Sequence, residues 1–223
     1  MNQKMNTLLG WLNMYKEGIG NIPNKDKVRN MLDTAFKKNP GDWIIHSQII
    51  GKTSEKIAKE IGLDPEIAYA CGSLHDIGKG YGKSDMAHMM AGYRILRFES
   101  YFYPAKIALG HGFVTSDISS YHGKANVSKR DEDFIKAYLQ KREISQYEKL
   151  IILLDNLIKD RYLGLDEREI LRNIPKSDKR EQRLEILKSW QKQLESKLEK
   201  PIKSYLPRPR YYKFPYNLLR DAK

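Results

Sequence analysis

Residues 64–80 read DPEIAYACGSLHDIGKG, and their ending decides how the rest of the chain is to be read. Asp64 is a helix N-cap, Pro65 suits the first turn, and Glu66 adds a first-turn acid facing the positive end of the helix dipole. The apolar run that follows stops at Gly78, so the pattern predicts a helix with His75 and Asp76 in its last turn. Cys71 and Gly72 lie one turn before His75 and leave a small-residue gap beside its imidazole. An imidazole and a carboxylate on adjacent residues, placed just before a glycine-rich bend, need an explanation from the surrounding sequence.

Working outward, the chain reads as helices almost throughout. The Asn39-Pro40-Gly41 break is followed by Asp42 as N-cap and by WIIHSQIIGKTSEKIAKEIG, apolar at three- and four-residue intervals and carrying His46. Ser84 and Asp85 open a helix with His88, and Pro104 opens a short one with His111 near its end. Ser128 begins a capping-box-like start before EDFIKAYLQK. Ser145 begins a cleaner one before KLIILLDNLIKD, the most apolar helix, in which Asp155 interrupts an apolar face. Short and long helices are expected near 166–173 and over 178–200, and helical pieces around NTLLGWLNMY and KVRNMLDTAF before residue 40. We find no strand pattern and no internal repeat.

With 223 residues, 15 glycines and 9 prolines, the composition excludes disordered and fibrous classes and fits one substantial domain with a small appendage. No apolar run approaches the roughly 20 residues of a membrane span, and the N-terminal apolar segment is too short for a signal peptide, so a cytoplasmic location is expected. The single cysteine, Cys71, reads as a packing residue. A formal net charge of +12 invites a polyanion partner, but much of the excess sits in the last two dozen residues, and nucleic-acid binding is not the favoured reading. The tyrosine- and arginine-rich tail reads as an extended strap across the helical body, with base stacking as the alternative.

Asp155, with Ile151, Leu154 and Ile158 one turn either side, needs a cation, a hydrogen bond or a metal to offset its burial. His46 is likewise flanked by Ile45, Ile49 and Ile50. Each residue alone fits an ordinary satisfied core group. Together, His46, then His75-Asp76, then Asp155 resembles the H…HD…D signature of the HD-domain superfamily of metal-dependent phosphohydrolases, and HDIGK is a common local form of it. The separations, 29 residues from His46 to His75 and 79 from Asp76 to Asp155, suit that signature. The resemblance covers roughly residues 42–160 and is nearest to small bacterial HD proteins of unassigned substrate.

That resemblance implies an all-α helical bundle with the metal site in its core and a basic C-terminal extension. Residues 1–41 would form an N-terminal helical segment packed on the core, 42–160 the metal-binding catalytic core, and 161–223 C-terminal helices and the basic aromatic tail. It implies His46, His75, Asp76 and Asp155 as metal ligands. His88 and His111 would complete a second site bridged by Asp76, for one or two ions in all. Gly112 stands where cyclic-dinucleotide phosphodiesterases carry a second histidine, which disfavours such substrates. Imidazole and carboxylate suit Mn, Fe, Co, Ni or Zn, with Mg possible. The activity implied is hydrolysis of a phosphomonoester or phosphodiester, in a nucleotide or related small metabolite, by metal-activated water.

Asp76 is expected to orient that water as well as hold metal. Lys79 is the first candidate to bind a phosphoryl oxygen, against a role at the C-terminal end of the helix dipole, and Arg94 the second, against a structural ion pair. Lys83 reads as a flexible loop contact, and His122 either as a proton donor to the leaving group or as an exposed loop residue. Two other readings stay open: a di-iron oxygenase of the same superfamily, and a non-catalytic protein whose metal ties its helices while its basic surface binds nucleic acid.

Overall fold

In the computed structural model, residues 13–174 and 176–207 are described. They open with a hairpin: β1 (Asn13–Lys16) pairs antiparallel with β2 (Gly20–Pro23), placing Met14 opposite Ile22. This corrects the expectation of helix and no strand. Gly18 and Gly20 both have positive φ, a backbone that closes a tight turn at no steric cost, and Ile22 is then fully buried. The rest of the expected first helix, 6–12, lies outside the described residues.

Nine α-helices follow among the described residues: α1 (Lys25–Lys38), α2 (Trp43–Glu60), α3 (Pro65–Leu74), α4 (Asp85–Phe98), α5 (Phe102–Gly110), α6 (Lys129–Lys141), α7 (Gln146–Leu157), α8 (Leu165–Leu171) and α9 (Asp178–Glu195). Short 3-10 turns cover Ile77–Tyr81, Ile118–Ser120 and Ile202–Tyr205. Apart from the hairpin, the regular structure of the described residues is helical. Its main core draws on Ile22 of the hairpin, Phe36 of α1, Ile49 and Ile50 of α2, Leu74 of α3, Ile151 to Leu154 of α7, Leu187 of α9 and Ile202, so segments on both sides of 42–160 pack against one interior. A smaller cluster of Met86, Met89, Leu109, Phe113, Ile135 and Leu139 joins α4, α5 and α6.

Several helix ends differ from the sequence reading, each for a local reason. Asp64 caps α3 as expected, accepting from the Glu66 and Ile67 N–H groups at 2.8 and 3.3 Å. Ser145 and Glu148 form a reciprocal capping box on α7. Asp42, by contrast, makes no side-chain cap; its carbonyl accepts from Ile45 and His46 instead. α4 is capped from a distance by Asn126, whose Oδ1 accepts from Ala87 N–H and whose Nδ2 donates to the Ser84 carbonyl. α5 begins at Phe102, ahead of Pro104, and α9 ends at Glu195 rather than near 200.

The contact between α2 and α3 sets the depth of the site. A Cβ on Gly51 would lie 1.9 Å from the Ser73 hydroxyl, and one on Gly72 would lie 3.1 Å from the Gly51 Cα. Only glycines let these backbones approach so closely, and that approach brings the end of α3 to His46 on α2.

Candidate metal centre

α3 stops at Leu74, four residues before the glycine, and the chain passes through His75 at the C-cap and Asp76 before the 3-10 turn. His75 and Asp76 therefore sit in a bend rather than in a last helical turn. The bend frees them from the 100° spacing of helical neighbours, and both side chains face inward, 0% and 1% exposed. His111 occupies the same place at the end of α5.

The two C-cap histidines share a device. His75 Nδ1 lies 2.7 Å from the Gly72 carbonyl oxygen and His111 Nδ1 2.9 Å from that of Ala108, each three residues back. A carbonyl can only accept, so each Nδ1 carries the proton and each Nε2 presents a bare lone pair. The same contact satisfies a helix-end carbonyl that has no partner within the helix. His46 is set likewise by the Lys159 carbonyl, 2.9 Å from its Nδ1. Outer partners that fix the tautomer in this way are typical of metal-binding histidines.

These lone pairs converge on Asp76. Oδ2 lies 3.5 Å from His75 Nε2 and 4.0 Å from His46 Nε2; Oδ1 lies 3.0 Å from His88 Nε2 and 3.5 Å from His111 Nε2. His75 Nε2 and Asp76 Oδ1 are nonetheless buried without a properly directed hydrogen bond. His88 and His111 turn their Nε2 atoms toward each other at 3.2 Å. Buried lone pairs that converge with His75 Nε2 and Asp76 Oδ1 left unpartnered call for a group between them, and a divalent cation fits these nitrogen and oxygen ligands. His46, His75 and Asp76 form one group able to hold an ion, and Asp76, His88 and His111 a second. Asp155 borders the first, with Oδ1 3.0 Å from His46 Nε2.

The charge states agree with that donor set. Burial pushes His75 down to about 3 and lowers His88 as well, so both imidazoles are neutral at physiological pH. Burial alone would raise Asp76, but Lys79 and the surrounding histidines outweigh it and hold the carboxyl well below its ordinary value. At Asp155 burial is similarly outweighed by Arg172, His46 and Arg168. The result is neutral imidazoles and ionised carboxylates, the forms that bind a divalent ion.

The cluster lies on a cavity of about 680 Å³. Lys79 lines it, and its Nζ donates to Asp76 Oδ2 at 2.6 Å. His122, in the loop after the Ile118–Ser120 turn, is half-buried and also lines the cavity, with Nε2 buried and without a hydrogen bond among the described residues. Arg94 is not brought to the site: its side chain is largely exposed and pairs with Asp131. Lys83 is exposed and outside the lining, and Cys71 is a buried packing residue. Most of the aromatic tail falls beyond residue 207, outside the described residues.

The sequence reading overlooked Asn156 and three arginines, Arg168, Arg172 and Arg183, which line the same cavity. Arg172 donates to Asp155 Oδ2 at 3.1 Å and to Asn156 Oδ1 at 2.6 Å. The readable signal was the four-residue spacing of Arg168 and Arg172, which puts both on one helix face.

Four buried histidines and two buried aspartates make this a helical protein with side-chain clusters able to hold a metal ion. Residues 43–160 match the HD domain family, and the chain belongs to it. The match starts at α2 and ends just past α7, enclosing all six candidate ligands. Neither curated proteins nor solved structures gave a match. No helix among the described residues is long and apolar enough to cross a membrane.

Proposed function

We propose that the protein is a metal-dependent phosphohydrolase that cleaves a phosphomonoester or phosphodiester bond of a nucleotide or related small metabolite. The observation that carries this reading is the placement of Asp76, one carboxylate oxygen toward His46 and His75 and the other toward His88 and His111. That geometry suits a carboxylate shared by two divalent ions. Mn, Fe, Co, Ni or Zn all fit the donors, and Mg fits less well among so many imidazoles.

When bound, such ions supply a water of lowered pKa and polarise a phosphoryl oxygen. The chain's own residues do the rest. Asp76 holds the two halves of the site in register and orients the water. Lys79 keeps its ammonium at the cavity wall by bonding Asp76, and its two further N–H donors are available to a phosphoryl oxygen. His122 lines the same cavity, and because burial and the nearby Arg183 lower its pKa it stays neutral and suits hydrogen bonding to the substrate rather than proton donation.

The test joins metal analysis of the purified protein to phosphate release from a panel of nucleotides and sugar phosphates, with oxygen uptake followed in parallel. Asp76→Asn should lower both metal content and turnover. Loss of an outer-shell partner typically costs 10–100-fold, so loss of the shared ligand should exceed about 100-fold. Phosphate release without oxygen uptake is expected; oxygen uptake without phosphate release would replace this reading with an oxygenase.

A further inference from the structure

Part of the cavity wall comes from outside the family segment. Arg168 and Arg172 lie on and just past α8, and Arg183 lies on α9, all beyond residue 160. Asn156 is the node that joins them to the metal centre: its Oδ1 accepts from Arg172 Nη1 and from Arg183 Nη2, while its neighbour Asp155 faces His46. Arg168 donates Nε to the Asp155 carbonyl at 3.3 Å, and Arg183 pairs with Glu169.

Around Asp155 and Glu169, guanidinium groups outnumber carboxylates. Two carboxylates, Asp155 and Glu169, face four guanidinium groups: Arg168 and Arg172 on the first, Arg180 and Arg183 on the second. Arg183 is 4% exposed and draws little compensation from water, whereas the Arg172 side chain keeps 29% of its surface accessible. An ion drawing on Asp155 would leave still more positive charge uncompensated. Guanidinium has five donors, and Arg172 spends one on Asp155 and one on Asn156, so donors remain for a ligand in the cavity.

The geometry points to a second anion subsite, formed by Arg168, Arg172 and Arg183, that holds a further phosphoryl group of the substrate next to the one bound at the metal centre. This rests on the phosphohydrolase reading and narrows it to substrates with two adjacent phosphoryl groups. Phosphate fits better than carboxylate because a tetrahedral group offers separate oxygens to more than one planar guanidinium fork. Adjacency follows from Arg172, which is separated from His46 by the Asp155 carboxylate alone. A cavity of about 680 Å³ exceeds what a lone phosphate fills.

The experiment measures binding of methylenediphosphonate, a diphosphate analogue that resists hydrolysis, and of orthophosphate to the full-length, Mn²⁺-loaded protein by calorimetry. The wild type should prefer the diphosphonate by about tenfold or more, and Arg168→Gln and Arg172→Lys should lose that preference. Lys136→Gln, which removes a positive charge on α6 outside the cavity lining, should keep it. Equal affinities in the wild type, or an unchanged preference in both arginine variants with native circular dichroism, would overturn the subsite. Hydrolysis of p-nitrophenyl phosphate, read in parallel, separates the two ideas. Turnover without diphosphonate preference removes only the arginine subsite, and preference without turnover removes only the hydrolase reading.

Discussion

At Gly78 an added Cβ would lie 2.0 Å from the His88 carbonyl oxygen and 2.7 Å from the Gly92 nitrogen. Both are backbone atoms of α4 and cannot swing aside. The sequence reading took this glycine for a helix stop; its role is to let the bend after Asp76 lie flat on the helix that carries His88. Gly78→Ala should therefore separate the two halves of the metal site and destabilise the fold by about 1–3 kcal/mol or more, as overpacking does. Chemical denaturation checks the stability and metal content checks the site. A variant that melts and binds metal like the wild type would refute this account. Ligand identities at this scale were legible because His46, His75-Asp76 and Asp155 carry a family spacing. Their tautomers were not, because those depend on the carbonyls of Gly72, Ala108 and Lys159, which only the folded backbone delivers.

Helices were legible where apolar periodicity and capping chemistry agreed, as in α3 and α7, and less so where tertiary contacts supplied the cap, as Asn126 does for α4. The hairpin was missed because four-residue strands give too few alternations to read. The α8 arginines were overlooked for the opposite reason: DEREILRN mixes both signs as a solvated face does, and only packing against Asp155 and Asn156 shows them to face a cavity. Asp64 tests the capping argument directly. It caps α3 and also pairs with Lys16 of β1 at 2.9 Å. Asp64→Ala should cost about 0.5–2 kcal/mol, and Asp64→Asn, which keeps the cap and loses the ion pair, less than about 1 kcal/mol. Burial pushes this carboxyl up, but Lys16 and the Glu66 and Ile67 N–H groups outweigh it and hold the folded value below the ordinary 3.8. The unfolded chain then binds more protons in that window, so stability rises with pH. The contribution is fully present above 3.8 and is lost as pH falls through the folded value. The difference between wild type and Asp64→Ala, measured by urea denaturation, should shrink below that pH; a constant difference would refute the electrostatic part.

At the scale of the molecule, the candidate ligands come from α2, the end of α3, α4, the end of α5, and α7, so one site ties together five elements distant in sequence. Each carboxylate also has a cationic partner of its own, Asp76 with Lys79 and Asp155 with Arg172. Those pairs compensate the buried charges when no ion is bound, and the main core runs from Ile22 to Tyr205 independently of the site. Metal removal should thus lower stability without unfolding the chain, unlike a small domain that depends on its metal to fold. An ion that binds only the folded state, at about 100 times its Kd, adds about 2.7 kcal/mol. For a chain of 223 residues that corresponds to a melting temperature about 5–10 °C higher. Chelation should reverse the shift and Mn²⁺ should restore it. Asp155→Asn should show a smaller gain than wild type because the first group loses a bordering carboxylate, while Asp76→Asn should show almost none because both groups depend on it. A wild-type melting temperature that stays fixed across a Mn²⁺ titration into the millimolar range would mean that the converging histidines are held by packing alone, and the metal assignment would fall with it.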